Sequence, residues 1–518
     1  MRALVLAPHP DDEINVAGST IIRLSRSGVE VFVAYSTNGD FNKAADVRAD
    51  EAIRSLNILG VDRDHIIWLG YGDTFNGTGQ PHVFCAQAPT RSPADHVETY
   101  APHGFEPWRR SPYTQENFFA DLQSLIVELR ADMIFCVDFD FHADHRALSI
   151  MFDRVMASIL RRDPSYRPEV YKRFAYSTAF TAPQDLHSRN LLSTVRPALG
   201  LEAYDFDLID KFNYVWAERI RFPMPIDCRE PSLDNPIARA VFAHRSQRIQ
   251  RNALAIVNAD EIFFERRTDS ITFSARVTAS SGNPSKACDF QMLNVRDINE
   301  SPPTFADYCW TPTPDDPDRR LIFEWEAPQR VERIKIYGSL DGSIDKLRIS
   351  LDNITSIDCR VERGGRPTTI DLPQPISILR AEFSIVDPIV EGGIGEIELL
   401  PSKERADHVM PPFIKITAGD QFICDYKIPS AIDRIELGLY RFHYDQKINF
   451  DVDGGTITQR DGDRITLKLD AAEIKVRAVG DGVSDEIMIR RVSPIYFWRL
   501  RFKQMLERIY IHWLRKKF

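Results

Sequence analysis

No apolar stretch in the 518 residues approaches the roughly 20 residues that a membrane-spanning helix needs. No secretory leader is expected either. Met1-Arg2 runs into only five apolar residues, 3–7, and then directly into polar His-Pro-Asp-Asp, too short a core for a signal peptide, so a cytoplasmic protein is expected. The seven cysteines include no CxxC pair and are odd in number, which favours free thiols in a reducing compartment over a disulfide framework. A basic surplus is also lacking. The formal net charge is -10, which argues against nucleic-acid binding, since phosphate backbones recruit basic surfaces. No internal repeat and no low-complexity segment occurs, so neither a solenoid nor an extended disordered chain is expected.

What the chain does have is an ordinary globular composition, 43% hydrophobic and 27% charged residues. Its length exceeds what one core serves and points to about three domains. The charge is uneven: from Arg490 to Phe518 there are nine Arg or Lys against the single acid Glu507, a tail of +8 that leaves -18 for the rest. Such asymmetry marks an interaction tail.

The first half alternates strand and helix patterns, the grammar of a mostly parallel, Rossmann-like α/β sheet. Strands are predicted at 2–7, 30–36, 66–69 and 132–137, and helices at 16–28, 46–60, 115–129 and 143–160, with Gly60 as a C-terminal stop. The Pro-, Gly- and His-rich stretch 76–113 is long for a plain connection and suits a lid or binding loop. Near residue 268 the grammar changes to short alternating segments divided by Pro, Gly, Asn and Asp, which reads as antiparallel sandwich. Strands are expected there at 320–325, 331–337, 346–351 and 376–385, then at 413–417, 433–440, 447–452 and 464–469. These patterns divide the chain into an α/β domain at 1–267, a first β-sandwich at 268–402, a small second one at 403–489 and a basic amphipathic helix at 490–518.

The strongest chemical signal is Pro8-His9-Pro10-Asp11-Asp12-Glu13 at the carboxyl end of the first strand, the edge where open α/β sheets bind ligands. A histidine and an aspartate three residues apart can ligate one metal from a tight loop. Imidazole and carboxylate suit zinc, which in catalytic sites takes three protein ligands and keeps one position open. A third ligand is offered by His142-Ala143-Asp144-His145, which follows another strand. Two histidines three apart share a helix face, so one can ligate while the other reaches substrate. Such a site polarises an amide carbonyl and acidifies water, a neighbouring carboxylate removes the proton, and a protonated histidine can stabilise the oxyanion and protonate the leaving amine.

His9-Pro10-Asp11-Asp12-Glu13 resembles the signature of the PIG-L (LmbE-like) sugar N-deacetylases, whose relatives include GlcNAc-phosphatidylinositol and mycothiol-precursor deacetylases. By that resemblance His9, Asp12 and His145 are the Zn2+ ligands, Asp11 is the general base, and His142 is the oxyanion-stabilising acid, tuned by Asp144. Arg48-Ala49-Asp50-Glu51 with Leu59-Gly60-Val61 is similar to the family's Arg-x-x-Glu helix, which makes Arg48 a substrate contact. Asp73 and His244, the latter in His244-Arg245-Ser246-Gln247, fall where relatives place substrate-site residues. Two departures occur: Ala143 stands where relatives often have proline, and Asp140 where some have a tyrosine.

Residues 268–402 resemble a discoidin or galactose-binding-like module through Val277–Ser281, Trp310, Arg333–Gly338 and Gly395–Leu399. Such modules bind glycans through end loops or serve as structural appendages, and no aromatic cluster marks the loops here. In the tail, Ile495, Trp498, Phe502, Met505, Ile509 and Trp513 follow three-to-four spacing amid Arg and Lys, a pattern suited to an anionic membrane surface or to docking on a protein. The expectation is a zinc-dependent hydrolase removing acetyl from an N-acetylhexosamine, lipid-linked or soluble, in glycan or glycolipid assembly. A glycan-binding or scaffolding protein with a vestigial enzyme domain is the alternative, and hydrolysis of another bond such as a phosphoester is a third.

Overall fold

The computed structural model describes residues 1–73, 86–139, 142–175, 218–228, 234–247, 260–292, 309–339, 344–362, 366–387, 392–499 and 502. The first domain is a seven-stranded sheet with helices packed on it. Its strands are β1 (Arg2–Ala7), β2 (Glu30–Thr37), β3 (Ile66–Tyr71), β4 (Met133–Val137), β5 (Glu169–Arg173), β6 (Ile220–Pro223) and β7 (Asp260–Arg266). They lie in the order β3-β2-β1-β4-β5-β7-β6. The first five are parallel, and β7 and β6 continue the sheet antiparallel.

Chain direction across the sheet reverses between β1 and β4, the neighbours at its centre. Crossovers from these two strands leave on opposite sides, so their carboxyl ends open a crevice. Leu4, Val5, Leu6, Ile134 and Phe135 are wholly buried, which is why both strands read as unbroken apolar runs. The helices are α1 (Asp12–Arg26), α2 (Ala45–Leu59), α3 (Gln115–Leu129), α4 (Ala143–Arg162) and α5 (Pro236–Ala243). Gly60 closes α2 as expected, with a left-handed φ of 87° and its N–H on the carbonyls of Leu56 and Asn57. Helix α1 begins at Asp12 rather than 16, because Asp11 and Asp12 donate their N–H groups back to His9 O and start the turn at once.

The 268–402 region is an antiparallel sheet system in the order β11-β10-β12-β9-β13, with β8 (Arg276–Ala279) paired to β9. Here β9 is Arg320–Gly338, β10 Leu347–Leu351, β11 Thr355–Cys359, β12 Pro367–Ile385 and β13 Ile394–Leu400. The strands expected at 320–325 and 331–337 are one continuous strand. The Pro328 between them is accommodated where the register with β12 slips, as irregular pairing tolerates a residue that cannot donate. The last domain packs a five-stranded sheet on a four-stranded one. Its final strand, Val483–Val492, extends past residue 489, so Arg490 and Arg491, counted above with the tail, are strand residues. Arg490 pairs with Asp425 at 2.9 Å and with Glu473, and Arg491 donates to Leu469 O.

Met410, Phe422 and Phe442 of this last domain belong to the same apolar core as the α/β sheet. Residues 494–499 are helical; the rest of the amphipathic tail, except Phe502, lies outside the described residues, as do Asp140 and residues 74–85 of the long loop. Among the described residues no helix is long and apolar enough to cross a membrane, and Cys136, Cys228, Cys288 and Cys359 form no disulfide.

Candidate active site and metal centre

The two motifs meet at the central crevice. His9 follows β1, Asp12 opens α1, and His142 caps α4, whose first turn carries Asp144 and His145. His9 Nδ1 lies 2.8 Å from Asp12 Oδ2, and His145 Nε2 lies 3.1 Å from the same oxygen. One carboxylate oxygen thus faces an imidazole from each motif. The other nitrogen of His9, Nε2, lies 3.0 Å from Asp144 Oδ2 and 3.3 Å from Asp73 Oδ1. His142 sits at the opening, its side chain 28% exposed while those of Asp12 and His145 are almost wholly buried.

The electrostatics follow from burial. Burial alone would lower the pKa of His9, but Asp73, Asp12 and Asp144 outweigh it and hold the ring well above its ordinary value. Burial would raise Asp12, yet His145 and His9 keep it well below the carboxylate range. Asp11 is pushed up to about 6 by burial, against the pull of Arg48. His142 is pushed down to about 3 by burial and by the charges of His9 and His145, so it is a neutral ring at neutral pH. Its Nδ1 accepts the Asp144 backbone N–H at 3.2 Å, which leaves the proton of the neutral tautomer on Nε2, a donor.

Three buried carboxylates, Asp12, Asp73 and Asp144, surround one imidazole. Acids this dry and this crowded favour a cation among them. Ring nitrogens of His9, His142 and His145 lie within 4.8 Å of one another, as do ligand atoms of His9, Asp73 and Asp144. Mixed imidazole and carboxylate donors suit a divalent metal such as zinc. The residues therefore fit a metal ion.

The three residues expected at the substrate stand at different depths. Arg48 of α2 donates to Asp11 Oδ1 at 2.9 Å, to Pro10 O at 3.0 Å and to Gly39 O at 3.2 Å, and its Nη1 is 3.8 Å from Asp73 Oδ2. It holds the His-Pro-Asp loop and aims Asp11. Asp73 joins the cluster directly. His244 is wholly buried behind it, 2.8 Å from Glu13 Oε1, an oxygen that also accepts from Ser55 at 2.8 Å. Asp144 has His9, at 3.0 Å, as a nearer partner than His142 Nδ1, at 3.9 Å.

Asp40 and Tyr100 support the site although neither belongs to a motif of the sequence. Asp40 Oδ1 accepts the Asp73 backbone N–H at 2.9 Å, and Asp40 Oδ2 accepts the Tyr100 hydroxyl at 2.6 Å. The 86–113 segment is laced along β3, with Tyr100 N donating to Gly70 O at 3.1 Å and Trp108 N to Trp68 O at 2.7 Å. Asp40 stands in the turn after β2, so the strand-end rule that found His9 could have found it. Tyr100 has no local signal, because its partner is 60 residues away.

Residues 4–156 match the family model described as PIG-L, GlcNAc-PI de-N-acetylase, so this stretch is a PIG-L family domain. No curated protein matches the chain. Among solved structures, N,N'-diacetylchitobiose deacetylase from Pyrococcus horikoshii is similar at 17% identity and a TM-score of 0.29, covering 52% of this chain and 84% of its own. A deacetylase triple mutant involved in teicoplanin biosynthesis is similar at 12% identity and a TM-score of 0.29, covering 52% and 99%. A family 32 carbohydrate-binding module from C. perfringens, in complex with galactose, is similar at 16% identity and a TM-score of 0.19, covering 24% and 92%.

Proposed function

With residues 4–156 a PIG-L family domain, we propose that the protein is a zinc-dependent hydrolase that removes the acetyl group from an N-acetylhexosamine in glycan or glycolipid assembly. One observation carries the reading: Asp12 Oδ2 stands between His9 and His145, and so joins the two motifs at the centre of the sheet. His9, Asp12 and His145 would hold the ion. Zinc held there supplies a Lewis acid for an amide carbonyl and an acidified water.

The chain's own residues do the rest. Asp11, with a pKa raised to about 6, is matched to take the proton of an attacking water near neutral pH. Arg48 keeps its carboxylate turned to the site. His142, at the opening of the crevice, presents Nε2–H to the oxygen of the scissile carbonyl, and the proton that Asp11 takes from water can pass to the amine as it leaves. Asp73 and Arg48 beside it offer an acceptor and a donor for sugar hydroxyls.

A lipid-linked acceptor at the inner face of a membrane is part of the proposal. Its support is the basic tail and the exposure of Ile495, Trp498 and Phe502, at 70%, 70% and 57%. The test is acetate release by the full-length protein from soluble and lipid-linked N-acetylhexosamines. Release should stop on chelation and return with zinc. Zinc bound without acetate release from any N-acetylated sugar would favour the glycan-binding alternative.

A further inference from the structure

A cavity of about 600 Å³ lies where the three folded domains meet, and none of the catalytic residues lines it. Its place on the sheet separates it from the crevice. Met133, at the start of β4, pairs with Glu169, and Val170 pairs with Arg266. Arg267 of the lining therefore sits at the amino-terminal edge of the parallel strands. The crevice is at the carboxyl edge, a strand length of about 16 Å away.

The walls combine aromatic and polar groups. From β9, Lys335 and Tyr337 point outward, alternating with the buried Ile334 and Ile336. The last domain adds Tyr440 and His443, and β7 adds Glu265. Three of these have unused hydrogen-bonding capacity among the described residues. The ammonium of Lys335, its side chain only 14% exposed, meets one partner, Glu218 Oε2 at 3.3 Å, for three donors. Glu265 Oε1 and His443 Nε2 are buried with no hydrogen-bond partner, a costly state that calls for an occupant. His443 also holds a left-handed φ of 50°, the kind of strain found at ligand clamps.

We propose that this junction cavity is a second binding site, for a short neutral saccharide. Hydroxyl groups both donate and accept, so one ring can donate to Glu265 and accept from Lys335, while its apolar face lies on the tyrosines. The mixed sign of the lining, with acids Glu218, Glu265 and Glu398 facing Lys335, Arg333 and Arg267, disfavours a strongly charged ligand. The volume is in the range of small-molecule pockets, which favour domain junctions. The site is on the outer face of β9, not at the loop ends of the sandwich, and it would tether a part of a glycan remote from the reacting sugar.

The test is calorimetric titration of the full-length protein with cellotriose, maltotriose and an oligouronate, none of which carries an N-acetyl group. At least one neutral trisaccharide should bind. Lys335→Met should weaken that binding about tenfold or more, the loss of hydrogen bonds to a charged donor. His443→Gly, which keeps the left-handed backbone at ease, should weaken it as well. Both variants should release acetate from a small N-acetylated sugar at the wild-type rate, so the catalytic reading and this one fail separately. Absence of neutral trisaccharide binding, binding unmoved by either substitution, or preference for the oligouronate would each overturn the proposal.

Discussion

At the level of single residues, the proposed mechanism divides the site into groups that would hold a cation and groups that would move protons, and the two should respond differently to substitution. Asp11 Oδ1 is held by Arg48 at 2.9 Å, whereas Asp12 Oδ2 faces the rings of His9 and His145. Asp11→Asn should therefore retain metal and fold while acetate release falls about 10²-fold or more, the usual worth of a positioned base. His145→Ala removes a wholly buried ring facing Asp12, and elemental analysis should show the metal lost along with activity. Zinc loss in Asp11→Asn equal to that in His145→Ala would make Asp11 a ligand. His142 is predicted to act on the developing charge of the carbonyl oxygen. His142→Ala should thus depress kcat by about 3 kcal/mol in barrier and change KM less. Steady-state kinetics on one soluble substrate separates the two parameters, and a rise in KM alone would reduce His142 to a binding contact.

At the level of elements, the 86–113 segment is the part of the site least visible in the chain. It is fastened to β3 through a close backbone approach at Gly70. That residue has φ +82°, and a Cβ there would stand 2.4 Å from Tyr100 O. Gly70→Ala should cost more than about 1 kcal/mol, since it meets both a left-handed backbone and an unyielding carbonyl. Melting should show the loss, and because Asp73 is three residues on, activity should fall with it. Tyr100→Phe is the milder probe. It removes one hydrogen bond to Asp40, worth about 1.5–3 kcal/mol when the acceptor is charged, and so loosens Asp73 without touching the metal-facing residues. Activity should drop with zinc content unchanged. Full activity in Tyr100→Phe would show that Asp40 holds Asp73 without help from the Tyr100 hydroxyl.

At the level of the whole molecule, the three folded domains are packed into one body. Arg405 donates to Pro168 O at 2.9 Å, His408 lies 3.1 Å from Glu169, and Arg161 reaches the carbonyl of Cys288. Of the tail's described residues, Trp498 and Phe502 are exposed. If the tail meets lipid, deleting residues 494–518 should release the protein from anionic vesicles and spare turnover of a small soluble substrate, because the proposed catalytic residues all precede 268. Each Arg or Lys near the surface contributes about 1 kcal/mol, and added salt should weaken the binding by screening. Co-sedimentation across a salt series checks both. Full-length protein left in the supernatant at low salt would end the membrane proposal, and an unfolded truncation would mean that the stripe packs on the body.

Local pattern determined a good deal on its own. Residues 115–129 carry a helix period and end where α3 ends, and Gly60 stops α2, because caps and amphipathic faces depend on near neighbours. His9 and His145 were legible as partners because parallel strands that are apolar throughout must be central, and their carboxyl ends must converge. Tertiary structure alone decided the rest. That 320–325 and 331–337 are one strand depends on where β12 lets its register slip. That Glu169, buried in a β-strand, answers His408, or that Asp40 answers Tyr100, depends on contacts between residues far apart in the chain. Such pairings arise only once the hydrophobic cores have fixed which surfaces face each other, and no spacing rule along the sequence records them.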